Sequence, residues 1–188
     1  MNEPAIIYDF DPNNLPREHL EAIGLIIASA SQTESILRDF IAGLLGIDEF
    51  EAVALGQHMT FPLKNDVIRA LAELNAPSVS EVDEIDEMID AIKDALDKRN
   101  AVAHNAFARH PETGEILSMR TQARGSLQVK LTPISVDQMR KDASVIYRAG
   151  MRLMEFMMSR NLLPKERTRV VHAPMKRGEK ARAHRRNG

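Results

Sequence analysis

The sequence predicts a mainly α-helical bundle with a small β-hairpin inserted before its last long helix. Three observations predict it. Long segments carry apolar residues at alternating spacings of three and four; two serine-led capping patterns, Ser78 to Glu81 and Ser135 to Gln138, open helices; and two short alternating runs flank Gly125.

The first helix is expected after Asn13-Asn14, which can cap, with Pro16 in its first turn and Gly46 as its stop after Leu45. Its stripe reads Leu20, Ile23, Ile27, Ala30, Glu34, Leu37, Ile41 and Leu44, so a carboxylate interrupts an apolar face. Shorter helices are expected over 48–57 and 63–74, with Pro62 and Asn75-Ala76-Pro77 as breakers. The helix opened by Ser78, in which Ser78 and Glu81 satisfy each other's backbone donors, has the stripe Val82, Ile85, Ile89, Ile92, Leu96, Arg99, Ala103. Here the interruption is a cation, which makes Glu34 and Arg99 candidate partners, because an unpaired buried charge costs several kcal/mol. The other reading is that the stripe meets the surface there.

Pro111 to Gly114 reads as a turn, followed by a hairpin over 115–121 and 126–132. The last helix presents Met139, Ala143, Ile146, Gly150, Leu153 and Met157 and ends near Asn161. The chain therefore divides into an extension over 1–14, a helical domain over 15–163 with its hairpin at about 115–132, and a basic segment over 164–188.

Composition narrows the function. The 188 residues are 44% hydrophobic and 28% charged, as in a globular protein, but only 4% aromatic, so aliphatics and ten methionines fill the core. The absence of cysteine excludes disulfides, thiolate metal sites and cysteine nucleophiles and suits the cytoplasm. Residues 1–11 lack the basic and apolar regions of a signal peptide, and the longest nearly apolar run, 22–30, falls far short of the ~20 residues that cross a bilayer, so no membrane association is expected. Net charge is −2, yet 164–188 holds nine Lys and Arg against Glu166 and Glu179. That +7 end is expected to be mobile and to attract phosphates or simply to be solvated.

No phosphate-cradling loop, dinucleotide fingerprint or zinc-protease motif is present, and His19, His58, His172 and His184 have no ligand-spaced neighbours, so neither cofactor nor metal is expected. The chemically pointed segment is Arg99-Asn100-Ala101-Val102-Ala103-His104. An arginine supplies a permanent planar cation for phosphate oxygens, a histidine exchanges protons near neutral pH, and Asn100 can orient either. Such groups suit RNA cleavage, in which the 2′-hydroxyl is the nucleophile. Positions 99 and 104 point about 140° apart on an ideal helix, so either the helix loosens near Ala103 or a second subunit completes the site. Architecture alone offers another account, with Arg99 paired to Glu34 and His104 at a helix C-terminus, where a cation is favoured. Arg109, Arg120, Arg124 and Lys130, on or near the hairpin, are candidate RNA contacts or a solvated face.

Arg99, Asn100 and His104, with the mid-stripe Glu34 and the position of the motif late in a long helix, resemble the HEPN superfamily over about residues 15–107. The resemblance implies a homodimeric, metal-independent endoribonuclease with Arg99, Asn100 and His104 catalytic and Glu34 supporting. It further implies a toxin–antitoxin or defence setting, with a protein antitoxin or regulator as a candidate partner. Related bundles with the same motif also occur as catalytically silent modules that dimerise or bind RNA or protein.

Overall fold

The computed structural model describes residues 7–123 and 125–167. Five helices, α1 (Arg17–Leu45), α2 (Glu49–Gly56), α3 (Phe61–Asn75), α4 (Val79–His104) and α5 (Val136–Ser159), form a bundle with strands β1 (Ala106–Arg109), β2 (Ile116–Ala123) and β3 (Leu127–Pro133) between the last two helices. The sheet is antiparallel in the order β1-β2-β3, with Ala106 opposite Met119 and Arg120 opposite Lys130. Mainly helical architecture with a hairpin before the last helix is what the patterning predicts. The third strand, β1, is additional: α4 ends at His104 and the chain pairs with β2 almost at once.

The central packing is α1 against α5, with α3 and α4 closing the core. Every member of the predicted α5 stripe, from Met139 to Met157, is buried. The α1 face agrees with expectation at Ala30, Leu37 and Ile41 and differs elsewhere. The buried side chains are Ala22, Ile26, Ser29, Ala30, Thr33, Ile36, Leu37, Phe40 and Ile41, while Leu20 and Ile27 are 44% and 39% exposed. The helix is rotated so that its small and hydroxyl-bearing positions meet α5. At that crossing a Cβ on Gly150 would lie 2.6 Å from Thr33 Oγ1, and the Thr33 hydroxyl donates to Ser29 O at 3.0 Å and lies 3.2 Å from Ile146 O across the interface. Glu34 consequently sits on the flank of the buried face, half-buried.

Several local expectations are corrected. Asn13 and Asn14 belong to a short 3₁₀ turn, and Pro16 itself occupies the α1 N-cap. Pro62 lies within the first turn of α3, where its missing N–H costs no helical hydrogen bond. Ser78 and Ser135 cap α4 and α5 by accepting from Glu81 N and Gln138 N, but neither pattern is reciprocal, because Glu81 pairs with Arg160 at 3.2 Å and Gln138 donates to Asp142. The reciprocal box is Asp48 with Glu51 at α2, where each side chain bonds the other's backbone. Residues 164–167 pack back on this corner: Lys165 N donates to Ile47 O at 3.0 Å and the Arg167 guanidinium covers the Phe50 ring. Arg124 and the predicted basic end beyond Arg167 lie outside the described residues.

Gly150 makes a test of the crossing whose sign is decisive. Helix propensity alone would make Gly150→Ala stabilising by about 1 kcal/mol, whereas the clash with Thr33 predicts a loss of about 1–3 kcal/mol in denaturant unfolding. A gain in stability would mean that α1 and α5 do not approach this closely.

Candidate functional site

Helix α4 carries the motif. Its buried residues Ile85, Met88, Ile89, Ile92, Ala95 and Leu96 fix its rotation, Arg69 Nη2 on α3 holds Asp90 at 2.7 Å, and Lys98 reaches Asp142 of α5 at 3.0 Å. The helix stays regular past the motif: Asn105 N still donates to Ala101 O at 3.2 Å, and Asn105 is the C-cap. Loosening near Ala103 is thereby excluded. Arg99, Asn100 and His104 keep the angular separation of an ideal helix.

The consequence is two separate clefts. Arg99 meets Glu34 in a hydrogen-bonded ion pair, as the paired interruptions of the two stripes predict. The pair lines a cavity of about 350 Å³ with Lys93, Asp97, Asn100 and the N-terminal turn of α3 at Thr60, Phe61 and Pro62. Thr60 makes no side-chain cap there, so the positive end of that helix dipole faces the same space as Arg99 and Lys93. At about 25% and 35% side-chain exposure, the Arg99–Glu34 pair contributes on the order of 1 kcal/mol at most to stability. Its geometric effect is to fix the guanidinium.

His104 lies in a larger groove, of about 860 Å³, between the last two turns of α4 and the distal half of β2. It is exposed and makes no hydrogen bond among the described residues. Asn100 and Asp97 line both clefts and so bridge them. Asn100 Nδ2 is 3.5 Å from Asp97 Oδ1, and Asn105 Nδ2 donates to Ser118 Oγ at 2.9 Å, which anchors the strand beside the helix end.

The hairpin cations separate into two groups. Arg120 and Lys130 are directly opposed across β2 and β3, on one face of the sheet with Gln122 and Gln128. Like charges so placed repel. The Gln122 side-chain oxygen accepts from Arg120 Nη2 and Nε at 2.7 and 3.0 Å once its amide is oriented to the network. Arg120 also borders the His104 groove. Arg109 sits at the far end of β1, opposite Ile116 and bridged to Asp9, away from the groove. Backbone and Asn14 hydrogen bonds, with a smaller contribution from Arg109, hold the Asp9 carboxyl below its usual range.

A third cavity, of about 180 Å³, is one that sequence reasoning missed. Ser31, Glu34, Ser35 and Arg38 of α1, Gly56 and Gln57 at the end of α2, and Lys64 of α3 line it. Glu34 is shared with the Arg99 cleft. The spacing of the buried residues Lys64, Ile68 and Ala72 is the signal that was available: a cation at the head of an apolar stripe, the same kind of interruption as Glu34 and Arg99. Asp39 beside Arg38 has its carboxyl pushed up by burial, against the opposing pull of the Arg38 guanidinium.

Among the described residues no group of three His, Asp or Glu is placed to hold a metal ion, and no helix is long and apolar enough to cross a membrane. Comparison of the chain with family models, curated proteins and solved structures finds no match.

The Glu34–Arg99 pair is open to a double-mutant cycle. Glu34→Gln, Arg99→Met and the combined variant should show a coupling of about 0.5–1 kcal/mol in denaturant unfolding, shrinking as salt is raised. Additive effects would mean that the two side chains do not interact in solution.

Proposed function

We propose that this protein is a metal-independent endoribonuclease of the HEPN type, active as a homodimer. The single observation that carries the reading is the bridging of an Arg99 cleft and a His104 groove by Asn100 on a helix that keeps the two functional groups divergent. One protomer holds the cation and the proton-transfer group on different walls, and a two-fold partner brings an Arg99 opposite a His104. The exposed apolar flank of α1, with Leu20 and Ile27, supplies a surface for that partner, and Ile27 lines a small cavity with Arg99, Glu34 and Ala103. It adjoins the motif.

In the reaction so proposed, His104 accepts or donates a proton as the ribose 2′-oxygen attacks the adjacent phosphorus and the 5′-oxygen leaves. The products are a 2′,3′-cyclic phosphate and a free 5′-hydroxyl. Arg99, held by Glu34, stabilises the charge on the phosphoryl oxygens, and Asn100 orients the phosphate or His104. Arg120 and Lys130 extend the groove along the hairpin as backbone contacts, without base readout. The absence of cysteine suits such an enzyme to the cytoplasm, and the resemblance suggests a toxin–antitoxin or defence setting with an antitoxin or regulator as the further partner.

A second reading rests on a specific observation: Glu34 already neutralises Arg99, which suits a catalytically silent module that binds RNA or a protein partner. Incubation of the full chain with total RNA in chelator separates the two. The enzyme reading expects cleavage leaving cyclic phosphate ends, and Arg99→Ala and His104→Ala each reduce it by at least about 10²-fold with the fold preserved, Arg99→Ala melting a few degrees lower for want of its Glu34 pair. RNA binding with no cleavage under any condition favours the silent module.

A further inference from the structure

Lys64 is placed against ordinary electrostatic preference in three ways. It is 8% exposed as a residue, its ammonium makes no hydrogen bond or ion pair among the described residues, and it stands in the first turn of α3, beside the positive end of that helix dipole. The stem is buried while the ammonium opens into the cavity, where no carboxylate meets it. The neighbouring cation compounds the problem: Arg38 lines the same cavity with a buried Nε that makes no hydrogen bond, its nearest carboxylate oxygen, on Asp39, lying 3.5 Å away in poor alignment. The one carboxylate lining the cavity, Glu34, is engaged by Arg99. Local conflicts of this kind in an otherwise consistent fold mark functional positions.

We propose that this cavity is a binding site for a phosphoryl anion, held by Lys64 and Arg38 with the hydroxyls of Ser31 and Ser35 and the amide of Gln57 as further donors. A dianionic or diester phosphate in the cavity can meet the Lys64 ammonium and the accessible terminal nitrogens of the Arg38 guanidinium at once, and charge-assisted hydrogen bonds to it are the strong kind. Its lining is polar and cationic and offers no aromatic or large apolar face on which a base could stack. Glu34 separates this site from the Arg99 cleft, so the two can hold neighbouring phosphates of one strand, or this one can take a free phosphate or a mononucleotide. The inference concerns binding alone and stands whether or not the protein cleaves RNA.

The test uses the full chain and inorganic phosphate as the probe, with sodium chloride at matched ionic strength as the reference. Phosphate is expected to raise the melting temperature of the wild type and to titrate calorimetrically. Lys64→Met, which keeps the length and apolar stem of the side chain, should bind phosphate at least about tenfold more weakly while melting no lower than wild type in chloride. Arg38→Gln should also weaken binding and guards against a misfolded first variant. A 2′-O-methyl oligonucleotide, which cannot be cleaved, then identifies the source: competition with phosphate points to a backbone phosphate, and lack of competition to a free phosphate or mononucleotide. Equal phosphate responses in wild type and both variants, or no response in wild type, would overturn the proposal.

Discussion

The unbroken course of α4 through His104 governs what this protein can do. A helix that frayed after Arg99 would let the motif fold back on itself and gather cation and imidazole around one phosphate. Instead the backbone bond from Asn105 to Ala101 completes the final turn, Asn105 is tied to Ser118, and Lys98 to Asp142 fixes the rotation. These constraints set Arg99 towards α1 and α3 and His104 towards the hairpin. It is this divergence that the proposed two-chain site answers.

Charge placement follows from the same packing. Because α1 turns its small and hydroxyl-bearing positions to α5, its acidic and basic residues Glu34 and Arg38 fall on the flank facing α3 and α4. There they meet Arg99, Lys93 and Lys64, so four cations stand beside Glu34, shared by both cavities, and Asp97 of the Arg99 cleft, within a chain whose net charge is −2. The field that attracts an anion is therefore local, created by helix rotation and by the uncapped start of α3.

Much of this was legible in the sequence because apolar periodicity and capping residues act locally. Every residue of the predicted α5 stripe is buried, with Phe156 added to it, since Gly150 and its neighbours offer one apolar face and no competing one. Helix α1 is harder to read: Leu20, Ile23 and Ile27 and the alternative Ala22, Ile26 and Ser29 both keep helical spacing, and the close approach of Gly150 to Thr33 chooses between them. Strand β1 has four residues, too few for an alternating pattern to register. Glu34 and Arg99 were visible as opposite charges breaking two stripes. The Lys64 cavity was not read, because lysine in an amphipathic helix ordinarily marks the solvent side, and only the assembled α1, α2 and α3 enclose it.

The central claim is that Arg99 of one subunit works with His104 of another, and subunit mixing tests it most directly. Arg99→Ala and His104→Ala proteins, each inactive alone, are combined under conditions that allow exchange. If the site spans the two-fold axis, half of the dimers are mixed and each regains one intact site, so roughly a quarter of wild-type cleavage returns. No recovery, with exchange verified, would contradict the shared site and return both groups to a single chain.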